Sequence, residues 1–231
     1  MPMRIAGLLP LLVLSSLATP IRVAAQDTPP LDPARMPATG ARVEDFVPRG
    51  WRVSYQVIGD LNGDTRADRV LHLVPRADTY YDHDAITAAP TTHAIVVLLA
   101  DAGGRLRRGG VAPKLLQPEM PQYGLELTIR RGVLIVNQNY GMTRVTDLTH
   151  RFRWDPATRR FLLIGRDQFY YTRPQWNDNH VRVSENYLTG VRLTTTEHAS
   201  DGRPVRTTTE RETIPRTRTP MERVDELDED S

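Results

Sequence analysis

Four oxygen-bearing side chains recur at short, regular intervals in one stretch of this chain. In Gly59-Asp60-Leu61-Asn62-Gly63-Asp64-Thr65-Arg66-Ala67-Asp68, residues Asp60, Asn62, Asp64 and Asp68 take loop positions 1, 3, 5 and 9. That spacing curls a short backbone around a hard cation. Ca²⁺ takes roughly six to eight oxygens at about 2.3–2.6 Å in flexible geometry. Three carboxylates, one amide and the carbonyl of Arg66 at position 7 supply the donor types it needs. Without a counter-charge, carboxylates this close would repel one another and shift their protonation. The loop departs from an EF-hand, because position 12 is Leu71 where a bidentate Glu is needed and position 6 is Thr65 where Gly is needed.

Other reactive residue types are sparser. Asp82, His83 and Asp84, with His93 downstream, are of metal-ligand and acid–base type, but lie in a polar stretch that reads as a solvated loop. His72 alternates with Val70 and Val74 and reads as a core or cross-strand histidine. Trp51, Trp154, Trp176 and the pair Tyr170-Tyr171 are candidates for an aromatic platform, with Trp176 in the most polar surroundings. No Gly-x-Ser-x-Gly elbow, His-Glu-x-x-His pair or Gly-rich phosphate loop is present. The absence of cysteine excludes thiol catalysis and disulfides. No catalytic residue is therefore assigned.

The elements that must position the acidic loop are strands. Residues 51–57 alternate large and polar side chains with period two, and 69–74 form a short apolar run before a proline. Farther on, 93–100 reads as a central strand and 105–111 as a weak edge strand; 115–123 reads as irregular. The runs 125–130, 133–137, 146–154 and 161–165 then follow as a meander, with Asp155-Pro156 turning one hairpin. Two further strands are expected at 181–183 and 191–197. Asp201-Gly202 is a two-residue hairpin signal between Thr-rich arms, which reads as a solvated hairpin at a sheet edge. No stretch keeps a helical period beyond a turn or two. The expected fold is all-β, an antiparallel meander forming a single sandwich or a partial, propeller-like domain at residues 43–215.

The ends read differently. Residues 1–25 have a positive start at Arg4, an apolar centre and small residues at Val23-Ala24-Ala25, the pattern of a secretory signal peptide. The apolar run is too short and interrupted for a membrane span. Residues 26–42 read as a flexible leader and 216–231 as a disordered acidic tail. The chain carries a formal charge of +2, and removing Arg4 and Arg22 with the signal peptide leaves it neutral. Its remaining basic residues are not clustered, so nothing points to nucleic acid. The expected destination is secreted, periplasmic or extracellular.

The strand–acidic loop–strand unit at about 46–74 resembles the FG-GAP/VCBS repeat. The resemblance implies Ca²⁺ held between two strands by Asp60, Asn62, Asp64 and Asp68, with the Arg66 carbonyl. The family has Gly where this chain has Thr65; at positive φ a side chain there costs about 1–2 kcal/mol. A looser similarity, from Tyr140 through Gly190, is to small exported bacterial proteins of unassigned activity. With a single such loop, a complete multi-bladed propeller is not expected. The function expected is that of a secreted domain with a structural Ca²⁺, a non-enzymatic module recognising an envelope protein or glycan. The alternative is an exported hydrolase of polysaccharide or cell-wall substrates.

Overall fold

The computed structural model describes residues 31–76, 93–117, 124–141, 143–172, 180–200 and 203–226. The expected signal peptide, the Asp82–His83–Asp84 stretch and Trp176 lie outside them. Twelve strands form two antiparallel sheets in a sandwich-like arrangement, neither closed into a barrel. The smaller contains β1 (Thr39–Gly40), β2 (Trp51–Gly59), β3 (Asp68–Pro75), β4 (Ala94–Ala100) and β5 (Leu106–Ala112), in the order β1-β5-β4-β3-β2. The larger runs β12-β11-β10-β9-β8-β7-β6. Its strands are β6 (Leu125–Arg130), β7 (Val133–Tyr140), β8 (Arg144–Asp155), β9 (Arg160–Thr172), β10 (His180–Asn186), β11 (Val191–Ser200) and β12 (Arg203–Thr213).

The central strands of the smaller sheet are covered on both faces, which is why Ala94–Ala100 of β4 is apolar throughout and Val70–Val74 of β3 is apolar at every position but His72. One face sends Val70, Ile95, Val97 and Leu99 against Leu127, Leu134, Val136 and Phe152 of the larger sheet. The other packs Leu71, Leu73, Val96 and Leu98 under Leu31, Met36 and Phe46. Within 31–42, the stretch expected to belong to a flexible leader, Leu31, Met36 and Gly40 are buried while most of the residues between them are exposed. Gly40 pairs with Leu106, and Arg108 donates to the carbonyls of Pro33 and Met36. The Pro- and Ala-rich composition masked two apolar anchors, each worth about 1.5–3 kcal/mol when fully buried. With β1 beyond it, β5 is not the outermost strand that its sequence suggested.

The sheets touch most closely where β2 meets β6. Tyr55 donates its hydroxyl to the Leu125 carbonyl at 3.2 Å. A Cβ on Gly59 would lie 3.0 Å from the Ile129 side chain, so a larger residue there would have to push Ile129 back by a few tenths of an ångström. Beyond β9 the smaller sheet ends and the larger one continues. Residues 214–226 return across this overhang as a strap, with Leu163 N–H bonded to the Thr219 carbonyl at 2.8 Å. Met221 is fully buried and Val224 nearly so. Residues 216–226, expected in a disordered acidic tail, thus pack on the sheets; the rest of that tail lies outside the described residues. Its acidic count concealed two apolar residues at the spacing of a short 3₁₀ turn, Met221–Arg223.

Candidate functional site

The acidic loop connects β2 to β3, as the strand pattern required. Leu61, in its second position, is buried in the core between the sheets and anchors the turn. Asp60 gathers the backbone around itself. Its Oδ1 accepts from the N–H groups of Asn62, Gly63 and Asp64, and its Oδ2 from Thr65 at 2.8 Å. Thr65 has φ of 67°, the left-handed conformation that favours glycine. Its hydroxyl donates to the Asp64 carbonyl at 2.6 Å.

Asp64 accepts from the Asn62 amide at 2.9 Å, the Arg66 N–H at 2.9 Å and the Arg66 guanidinium at 2.8 Å. Partial burial pulls its pKa upward, but these donors outweigh that and leave it below the ordinary value. Asp68 is fully buried and staples the loop to β4. Its Oδ2 accepts from Leu61 N–H and its Oδ1 from Ala100 N–H, both at 2.9 Å. Burial raises its pKa against the pull of those two bonds, and the charges of Asp64 and Asp60 raise it further.

All five predicted ligating residues, Asp60, Asn62, Asp64, Arg66 and Asp68, thus lie in one compact turn. Among the described residues no three His, Asp or Glu side chains gather on a single point. N–H groups and Arg66 supply the positive partners of these carboxylates. The donor set fits a calcium ion chemically: hard oxygens, a left-handed sixth position, and a buried acid whose negative charge is costly. Asp60 Oδ2, Asp64 Oδ1 and both Asp68 oxygens accept one N–H each and retain a lone pair for a cation, whereas Asp60 Oδ1, with three N–H groups, and Asp64 Oδ2, with two donors, do not. Arg66 would have to release Asp64.

A second region stands out on the larger sheet. Because the smaller sheet stops short, the inner face of β9, β10 and β11 opens into a cleft of about 1210 Å³ under the strap. Strand alternation aims Arg166, Gln168, Tyr170, Glu185 and Arg192 into it. At its floor the Glu226 carboxylate receives Nε2–H of the fully buried His150 at 2.7 Å and the Arg166 guanidinium at 3.0 Å. Burial pushes Glu226 upward, yet the bond and charge of His150 and the charge of Arg166 win and hold it below the usual carboxylate value. Beside it, Glu185 accepts from Arg192 Nε at 2.8 Å and from the Tyr187 hydroxyl at 2.7 Å. Burial, then the bond to Glu185 and its charge, raises the Tyr187 phenol well above normal. Burial likewise raises Tyr140 and Tyr170. The cleft therefore presents phenols, amides and compensated charges at neutral pH.

Of these residues only Tyr170 was a candidate in the sequence. The signal for the rest is the second half of β9, Arg166 to Thr172, which is polar or aromatic at every position in a strand with neighbours on both sides. A central strand with no apolar face must border solvent or a polar cavity. His72 and His93 do meet, with Nε2 of the first 3.3 Å from Nδ1 of the second, inside the smaller sheet and against the Tyr55 ring. Burial, then the neighbouring charges of His93 and Arg52, depresses His72 to about 3. Sealed from solvent at 1% exposure, His72 is a core residue. Trp51 is also core, and Trp154 is half-buried under the Arg107 guanidinium.

No helix among the described residues is long and apolar enough to cross a membrane. Comparison with protein-family models, curated proteins and solved structures finds no match to this chain.

Proposed function

We propose that this chain is an exported, non-catalytic recognition domain that takes a polar envelope ligand, a glycan or a protein segment, in the cleft of its larger sheet. A structural Ca²⁺ in the 60–68 loop would fix the β2–β3 turn. The observation that carries this reading is the cleft chemistry. Tyrosine rings with amide and charged groups beside them suit the apolar faces and hydroxyl edges of sugars, or a polar peptide. A hydrolase of the acid–base type would need one carboxyl kept protonated and a second one unencumbered. Here Glu226 is pushed the other way, and Glu185 is tied to Arg192 and Tyr187. These pairings favour binding over bond cleavage.

The test is ¹⁵N shift mapping with chitohexaose, maltohexaose and a soluble peptidoglycan digest as probes, alongside an assay for new reducing ends. The reading expects saturable shifts at Tyr140, Gln168, Tyr170 and Tyr187 with at least one probe and no new ends. Release of reducing ends would support the exported hydrolase instead. Shifts confined to other surfaces would remove the cleft from the account.

A further inference from the structure

Beyond the cleft, β12 is the outermost strand of the larger sheet and packs only on β11 among the strands around it. From Val205 to Thr213 every residue but Thr208 is exposed, including Val205 at 63%. Its ladder to β11 is regular from Arg206 to Thr213, and the one irregularity, at His198/Ala199, leaves Val205 bulged without a partner on β11. A long, flat edge of this kind leaves a row of backbone donors and acceptors open to another strand. Natural edges are commonly blunted by charge, proline, a bulge or short length; here Pro204 and the Val205 bulge stand only at the hairpin end, and from Arg206 to Thr213 charge, of both signs, is the one such device.

The side chains specify which strand fits. An antiparallel pairing of β12 with itself about a two-fold axis at Thr208 sets Arg206 opposite Glu210 twice, once on each side of the axis. Thr207 meets Thr209, and Thr208 meets Thr208. Opposite charges and Thr–Thr neighbours are both favourable cross-strand pairs. Other two-fold registers fare worse. An axis at Glu210 places like charges against each other, and an axis at Thr207 runs into the Val205 bulge and sets Arg206 opposite Thr208, with no acid to meet it. An axis at Thr209 would use Glu212, which is already held by Arg192 at 3.2 Å. Arg206 and Glu210 make no ion pair recorded among the described residues.

We infer that β12 is an isologous dimer interface, through which two copies of this chain join their larger sheets into one continuous antiparallel sheet. Such an interface is closed by its two-fold axis and leaves no further edge for growth there.

The experiment is sedimentation equilibrium on the purified protein and three variants, Arg206→Glu, Glu210→Arg and the double exchange Arg206→Glu/Glu210→Arg, with circular dichroism as a check on folding. The wild type should be a dimer at tens of micromolar. Each single exchange places like charges across the axis twice and should weaken the dimer about tenfold or more, while the double exchange should restore it. A monomeric wild type overturns the inference, as does a dimer indifferent to the single exchanges. A double exchange no better than the singles also overturns it, because the pairing register would then be wrong.

Discussion

Asp68 shows how one side chain can hold a turn and burden it at once. Its two oxygens satisfy Leu61 N–H and Ala100 N–H, groups that no other part of the loop reaches. Asp68→Asn keeps the shape but turns an amide N–H toward one of those donors. The expected cost is about 1–3 kcal/mol, read as a lower urea midpoint in calcium-free buffer. An unchanged midpoint would show that the staple is dispensable. His72 gives a pH dependence with a definite sign. Its folded pKa of about 3 lies below the ordinary 6.5. Between those values the unfolded chain binds the extra proton. The contribution is therefore complete above the unfolded value and is lost as pH falls toward the folded one, by up to roughly 5 kcal/mol. Urea midpoints measured from pH 7 to pH 4 should decline more steeply for the wild type than for His72→Leu. Parallel curves would assign the acid sensitivity elsewhere.

At the scale of elements, what could be read from the chain followed from periodicity, and what could not followed from composition. The β2–loop–β3 unit, the meander and the hairpin of β11 with β12 were legible because alternating patterns have one satisfactory burial. The N-terminal cover and the C-terminal strap were not. Each hides two apolar anchors, Leu31 and Met36 or Met221 and Val224, within proline-rich or acidic surroundings that average to disorder. The acidic loop was legible as a donor set, whereas the cleft required the overhang, which depends on two sheets being of unequal width. The strap has a packing test. A Cβ on Gly110 would sit 2.3 Å from the Met221 sulfur, so Gly110→Ala should displace the strap at about 1–3 kcal/mol and expose it to protease. Resistance equal to that of the wild type would mean that Met221 relaxes without loss. The strap's ionic tie adds a pH test. The depressed Glu226 contributes in full above the unfolded carboxylate value and is lost as pH falls through its lower folded value. Strap proteolysis by an acid-active protease should rise in that acidic window, and Glu226→Gln should show the rise already at neutral pH. A Gln variant as resistant as the wild type at neutral pH would contradict the tie.

For the whole molecule, the two sheets have separate roles. The smaller, covered on both faces of β3 and β4, supplies much of the core, with the 60–68 loop at its β2–β3 turn. The larger extends past it, carrying the polar cleft inside and an open edge at β12. In this account the ion secures the turn nearest the junction of the sheets, so its binding is felt as stability of the entire domain. The most direct test is calorimetric titration of the purified protein with CaCl₂, paired with thermal melts in chelator and in millimolar Ca²⁺, beside Asp60→Ala/Asp64→Ala. The account predicts about one ion bound by the wild type. At roughly tenfold excess over Kd the gain is about 1.4 kcal/mol, seen as a higher melting temperature, and the double variant should show neither binding nor shift. If the wild type neither takes up heat-detectable calcium nor melts higher, the loop is a hydrogen-bonded acidic turn in which Arg66 already stands in for the cation, and a calcium-stabilised recognition domain is contradicted.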